Sequence, residues 1–91
     1  MIQVNNITKH NYTTIIDGND GEDQIIITSS PSQSGHIALL IVHVQVDGGL
    51  EIILNIPHGI LKFDDLNQTL KENLLPYLSN KDIKKIVEIY G

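Results

Sequence analysis

Two runs of alternating apolar residues, separated by Asp47, Gly48 and Gly49, predict a β-hairpin over residues 36–57. A three-residue loop aligns the two runs on one face, because a slip of one residue would send every side chain to the opposite face. In this register Val46, Val44, Val42 and Leu40 lie opposite Leu50, Ile52, Leu54 and Ile56, with Ala38 at the base of the first run. Such a loop ends in a left-handed residue, a place that suits Gly49. We therefore predict that these two rows pack together against the interior.

The opposite face of the same hairpin changes from apolar to polar toward the loop. Its residues are Ile37, Leu39, Ile41, His43, Gln45 and Asp47 on the first strand, and Glu51, Ile53 and Asn55 on the second. The base of the hairpin is therefore expected to be buried on both sides, and its tip to be wet on one side. A helix or a second copy of the chain could cover the base, and the sequence leaves both alternatives open.

Residues 12–16 and 24–28 predict a second hairpin around an acidic turn at 17–23, where an Asp-Gly turn signal occurs. Consecutive isoleucines at 25–27 interrupt the alternation, so the pattern does not determine the register. Residues 2–7 are predicted to add a short edge strand. The serine-rich segment 29–35 is predicted to be a polar connector between the hairpins.

Apolar residues spaced three and four apart predict two short helices in the last third of the chain. Asp64 or Asp65 can cap the first helix, Pro76 ends it near Leu75, and Ser79 can cap the second. The two buried stripes are Leu66, Leu70 and Leu74, then Ile83, Ile86, Val87 and Tyr90, with Leu78 and Ile83 spaced as a hydrophobic staple and Asp82 at the third helical position. The expected fold is α+β: a single domain over 1–91, strand-rich over 1–60 and helical over 63–91. It has a small antiparallel sheet of four to five strands, followed by two short C-terminal helices packed on one face.

Composition and charge then narrow the function classes. The 91 residues include six lysines, no arginine and no cysteine, and the formal net charge is −5. Without cysteine there is no disulfide framework, thiolate metal site or cysteine nucleophile. Without arginine, and with this negative charge, direct nucleic-acid binding is disfavoured. An acidic surface keeps a protein in solution and also favours association with basic proteins, including proteins that themselves hold nucleic acid.

The candidate chemistry is sparse. His36 and His43 are seven positions apart, so a regular strand sends them to opposite faces, although His43 could meet Asp47 or Glu51 near the hairpin tip. The acidic segment 17–23 offers hard oxygens for a cation but lacks the glycine and glutamate of a calcium loop. The chain contains neither a Gly-x-Ser-x-Gly elbow nor a phosphate-binding glycine loop. We therefore predict no catalytic residue, no metal site and no cofactor.

By elimination, the leading hypothesis is a non-catalytic, acidic protein-binding module that inhibits or regulates a larger protein, one with a basic surface. The many isoleucines, with alanine only at position 38 and no arginine, suggest an AT-rich coding sequence typical of low-GC bacteria, phages and mobile elements. Anti-CRISPR and other anti-defence proteins have this size and charge. The alternatives are an immunity protein or antitoxin, a homodimeric structural or assembly protein, and a small enzyme using histidine and carboxylates.

The sequence shows no apolar run of membrane-spanning length and no signal-peptide pattern at its start, so a cytoplasmic location is expected, in the host if the gene is phage-borne. The partner is expected to contact the acidic turns and the apolar base of the long hairpin. The residues predicted for this contact are Asp17, Asp20, Glu22, Asp23, Ile37, Leu39, His43, Asp47, Glu51 and Ile53.

Overall fold

The computed structural model describes residues 1–90, and of Asp20 it describes the backbone alone. The strands are β1 (Val4–His10), β2 (Thr13–Gly18), β3 (Gln24–Pro31), β4 (His36–Val44) and β5 (Leu50–Lys62), and the helices are α1 (Leu66–Leu74) and α2 (Asn80–Tyr90). The strands form one antiparallel sheet in chain order, from β1 to β5. The predicted α+β fold is therefore confirmed, with five strands. None of the helices in this part of the chain is long and apolar enough to cross a membrane.

Both helices pack on one face of the sheet, here called the covered face. The sheet contributes Ile16, Ile25, Ile27, Ile37, Leu39 and Ile41 to the core, and the helical region contributes Leu66, Leu70, Leu74, Leu78, Ile83 and Ile86. The predicted helical stripes are confirmed, because all of these leucines and isoleucines are buried. The sheet surface away from the helices is here called the open face.

Ser79 caps α2 as expected, since its hydroxyl oxygen accepts the backbone N–H of Asp82 at 3.2 Å and its O–H donates to the Asp82 carboxylate at 2.9 Å. Leu78 and Ile83 are both buried at this end of the helix. Burial of the staple residues fixes the direction in which α2 crosses the sheet.

The predicted loop of the long hairpin is displaced by one residue, and the predicted pairing beside it is wrong by two residues, since Val44 and not Val46 lies opposite Leu50. Gln45 donates its N–H to the Gly49 carbonyl at 2.7 Å and accepts the N–H of Gly48 at 2.9 Å, so the loop is Val46, Asp47 and Gly48. Gly48, with φ of 90°, occupies the left-handed place that was assigned to Gly49. A three-residue loop is present, but it begins one residue earlier.

A two-residue change in pairing keeps the same rows on one face, so the face that is buried depends on where the helices pack. The even-numbered residues of β4, Ala38 to Val44, lie half-buried on the open face, while Ile37, Leu39, Ile41 and His43 are buried on the covered face. In β5, Leu50 and Ile52 lie opposite Val44 and Val42 on the open face. A bulge at Ile53 then places Leu54 and Ile56 opposite Ile41 and Leu39 on the covered face. The prediction that the even-numbered row of β4 packs against the interior is therefore wrong, because both faces of β4 are apolar and alternation alone could not choose between them.

Two other predicted boundaries also differ. Residues 29–31 belong to β3 and do not form a connector, because Ser29 pairs with Leu39 and is buried in the sheet. The first strand covers Val4–His10, whereas the sequence pattern predicted a strand over residues 2–7. Ile2 instead packs into the core and donates its N–H to the Tyr77 carbonyl at 2.8 Å.

Candidate functional site

The sheet topology brings the two acidic turns to the same end of the molecule. Asp17 pairs with Gln24, Gln24 with Val44, and Val44 with Leu50, so the turns after Asp17 and Val44 are neighbours. We call this region the acid end and define it by Asp17, Glu22, Asp23, Asp47 and Glu51. The backbone of Asp20 lies in the same turn, within the short 3-10 segment Asn19–Gly21.

Asp23 joins the two turns. One carboxylate oxygen accepts a hydrogen bond from His43 Nε2 at 2.8 Å, and the other accepts the backbone N–H of Val46 at 2.8 Å. The hydrogen bond from His43, followed by that from Val46, holds the pKa of Asp23 below its ordinary value. Asp23 is therefore expected to be a carboxylate at neutral pH, and this carboxylate orients both turns.

His43 lies at the polar margin of the covered face and is 9% exposed. Its Nδ1 is buried without a hydrogen-bond partner and lies 3.5 Å from the Glu51 carboxylate. The imidazole also meets the ring of Tyr77 in an edge-on contact, with the ring centres 5.4 Å apart. The Tyr77 hydroxyl donates to Glu51 at 2.7 Å, and this bond raises the pKa of Tyr77. The polar cluster thus fastens the segment between α1 and α2 to the strands.

The arrangement suits a structural role better than acid–base chemistry. A general base needs a nitrogen that can reach a substrate proton, whereas His43 directs Nε2 at Asp23 and keeps Nδ1 away from solvent. A hollow of about 450 Å³ lies beside Asp23, His43 and Tyr77. Among the described side chains, no group of three or more histidines and carboxylates is placed to hold a metal ion.

The apolar residues predicted for partner contact are not together at the acid end. Ile37 and Leu39 are 2% and 1% exposed and lie in the core beneath the helices, so they form no part of the surface. Ile53 is partly buried at the bulge of β5. Ile37 and Leu39 are therefore not available for the partner contact predicted for them, because the helices cover the odd-numbered face of β4. The apolar surface lies instead on the open face, and the signal for it was the apolar character of β4 on both sides.

The chain was also compared with known proteins. No protein-family model matches it, and neither a curated protein nor a solved structure matches it. The function is therefore inferred from the chain's own residues.

Proposed function

We propose that this protein is a non-catalytic binding module whose acid end docks on a basic surface of a larger protein. The observation that supports this proposal most directly is the gathering of five carboxylates from distant parts of the sequence at one end of the sheet. Among the described side chains, the basic group within 4 Å of these carboxylates is the imidazole of His43, beside Asp23 and Glu51, and no lysine neutralises them.

Several of these carboxylates are oriented by neutral donors. Gln24 donates its side-chain N–H to Asp17, and the Gly49 backbone N–H donates to Asp47 at 2.8 Å. Neutral donors fix the direction of a carboxylate without cancelling its charge. A partner's lysines or arginines would then meet a preorganised set of acceptors, which lowers the entropic cost of binding.

The finer proposal concerns the role and origin of the module. We propose that binding inhibits or regulates the partner, that the partner can be a protein that itself holds nucleic acid, and that the module acts in a host cytoplasm as a phage or mobile-element product of the anti-defence type. The small size, the net charge of −5 and the arginine-free, isoleucine-rich composition support it. A carboxylate surface competes with phosphate groups for the same basic side chains.

The test uses two variants that each lose three carboxylates. The acid-end variant carries Asp17→Asn, Glu22→Gln and Asp47→Asn. It spares Asp23, which is hydrogen-bonded to His43 and Val46, and Glu51, which is hydrogen-bonded to Tyr77. The matched control carries Asp64→Asn, Glu72→Gln and Glu88→Gln in the helical part of the chain. Each immobilised protein is exposed to host-cell lysate, and any captured protein is purified and titrated by calorimetry.

We expect a partner that binds the wild-type chain and the helical control alike. The acid-end variant is expected to lose about tenfold in affinity, since three rim charges are removed and each typically contributes about 0.5 kcal/mol. Wild-type affinity should also weaken as salt rises. Equal binding by all three proteins, or no partner for a well-folded wild-type chain, would overturn the proposal.

A further inference from the structure

The open face carries an uninterrupted apolar row across four strands. Ile15 pairs with Ile26, Ile26 with Val42, and Val42 with Ile52, so these four β-branched side chains lie side by side. Val44 and Leu50 extend the apolar surface toward the acid end. Ile52 and Leu50 are 59% and 66% exposed, and the helices cover none of this row.

The strand β4 has the composition of a strand that is buried on both sides. Of its nine residues, all except His36 and His43 are apolar, whereas a strand with one solvated face normally alternates with polar residues. The fold buries the odd-numbered side of β4 under the helices and leaves the even-numbered side half-buried. The sequence is therefore suited to a second cover that the single chain does not provide.

Charge indicates what kind of surface that cover has. Among the described residues, the pairing places one carboxylate on the open face, Asp17 near one end, and one lysine, Lys62, opposite His36 at the other end. The remaining acidic charge lies elsewhere, so the open face offers little to a basic partner. It also brings few like charges together when it meets an identical face. An uncharged apolar row fits a second uncharged apolar row.

The open face is large enough for two copies of the chain to form a specific interface through it. Five strands about 4.8 Å apart, each about eight residues long at about 3.4 Å per residue, present a footprint of roughly 650 Å². Two copies would bury roughly 1,300 Å², which exceeds the 1,000 Å² or so that a specific interface needs but falls below the usual 1,600 Å² or so. A face of this size supports a reversible dimer and not an obligate one.

From these observations we infer that two copies of this chain associate through their open faces, forming a two-layer β-sandwich with a helical layer on each outer side. Two sheets packed about 10 Å apart would interdigitate the β-branched rows, as the inner faces of sandwiches do. Of the five acid-end carboxylates, the pairing places Asp17 alone on the open face, near one end of it. Self-association therefore leaves most of the acid end available for the partner binding proposed above, and the dimer would carry two acid ends.

The experiment measures the mass of the chain by sedimentation and light scattering over a dilution series from about 1 µM to about 200 µM, which detects dissociation constants in that range. The wild-type chain is expected to rise from 10.1 kDa to twice that mass. Two variants, Ile52→Lys and Ile26→Lys, place a charge in the apolar row. The matched control, Leu75→Lys, makes the same change at a leucine that is 53% exposed at the end of α1.

Ile52→Lys is expected to raise the dimer dissociation constant at least about tenfold, because it desolvates a charge in an apolar interface, and Leu75→Lys should leave it unchanged. Circular dichroism is used to check that each variant is folded. Ile52 is already exposed in the edge strand β5, so the single chain is expected to tolerate lysine there. A wild-type chain that stays at 10.1 kDa throughout would overturn the inference. So would a dimer that both open-face variants leave intact, since such a dimer would use another surface.

Discussion

The two faces of the sheet carry similar side chains but have different surroundings. Ile41 and Val42 are consecutive β-branched residues of β4, yet Ile41 is fully buried beneath the helices and Val42 is half-buried on the open face. The same contrast separates Ile25 and Ile27 from Ile26 in β3. Burial therefore depends on which face the helices cover, and residue type alone does not decide it. The covered face is expected to supply most of the free energy of folding, and the open face is expected to supply the contact between two copies of the chain.

The largest expected effect tests this difference in a single strand. Ile41→Ala should lower the free energy of unfolding by about 2–5 kcal/mol, because it leaves a cavity under the helices. Val42→Ala should cost only about 1 kcal/mol, since its site is already partly open to water. Urea unfolding measured well below the dimer range compares the two variants directly. Similar losses at both positions would contradict the assignment of the two faces.

A smaller effect tests the position of the three-residue loop between β4 and β5. Gly48→Ala should cost about 1–2 kcal/mol, because an L-residue is forced into a left-handed conformation at φ of 90°. Gly49→Ala is the control. Its added methyl group approaches the ends of the Gln45 and Asp47 side chains, both of which belong to exposed residues and can move aside. Thermal unfolding should give Gly48→Ala a lower midpoint temperature than Gly49→Ala. The reverse order would support the loop predicted from the sequence, in which Gly49 takes the left-handed position.

The smallest effect concerns the polar margin of the covered face and depends on pH. Because the hydrogen bond from His43 holds the pKa of Asp23 below its ordinary value, the folded state binds protons less readily than the unfolded chain. The resulting stability is present above about pH 4 and is lost as the pH falls through the folded pKa. Asp23→Asn keeps one acceptor oxygen but replaces the other with an NH₂ group, so it should be less stable than wild type near neutral pH.

The measurement compares urea midpoints of wild type and Asp23→Asn at about pH 7 and about pH 2.5, where the difference should shrink. Asp64→Asn, at an exposed residue outside the acid end, is the control for the loss of one carboxylate charge. A gap between wild type and Asp23→Asn that widens on acidification would mean that Asp23 does not stabilise the junction of the two turns.

Sequence reasoning predicted the acidic turns better than it predicted the apolar contact surface. Asp17, Glu22, Asp23 and Asp47 fall in turn signals and Glu51 follows one, so their places near turns were predictable. The meeting of the two turns at one end of the sheet was not, because it depends on the order of the strands. The bridge from Asp23 to His43 and Val46 was not, since it spans about twenty residues and depends on the register of three strands. Ile37 and Leu39 were misplaced because the helices cover the odd-numbered face of β4, and a strand that is apolar on both faces does not reveal which face is covered.

The sequence by itself determined the elements. Alternation marked the strands, helical spacing marked the stripes through Leu70 and Ile86, and Ser79 and Pro76 marked where the helices begin and end. These signals are local, since each depends on the geometry of a few consecutive residues. Only the tertiary structure decided which side of β4 forms the core, because both sides are apolar. The two helices, which follow β4 much later in the chain, decide it by packing on the side that carries Ile37, Leu39 and Ile41.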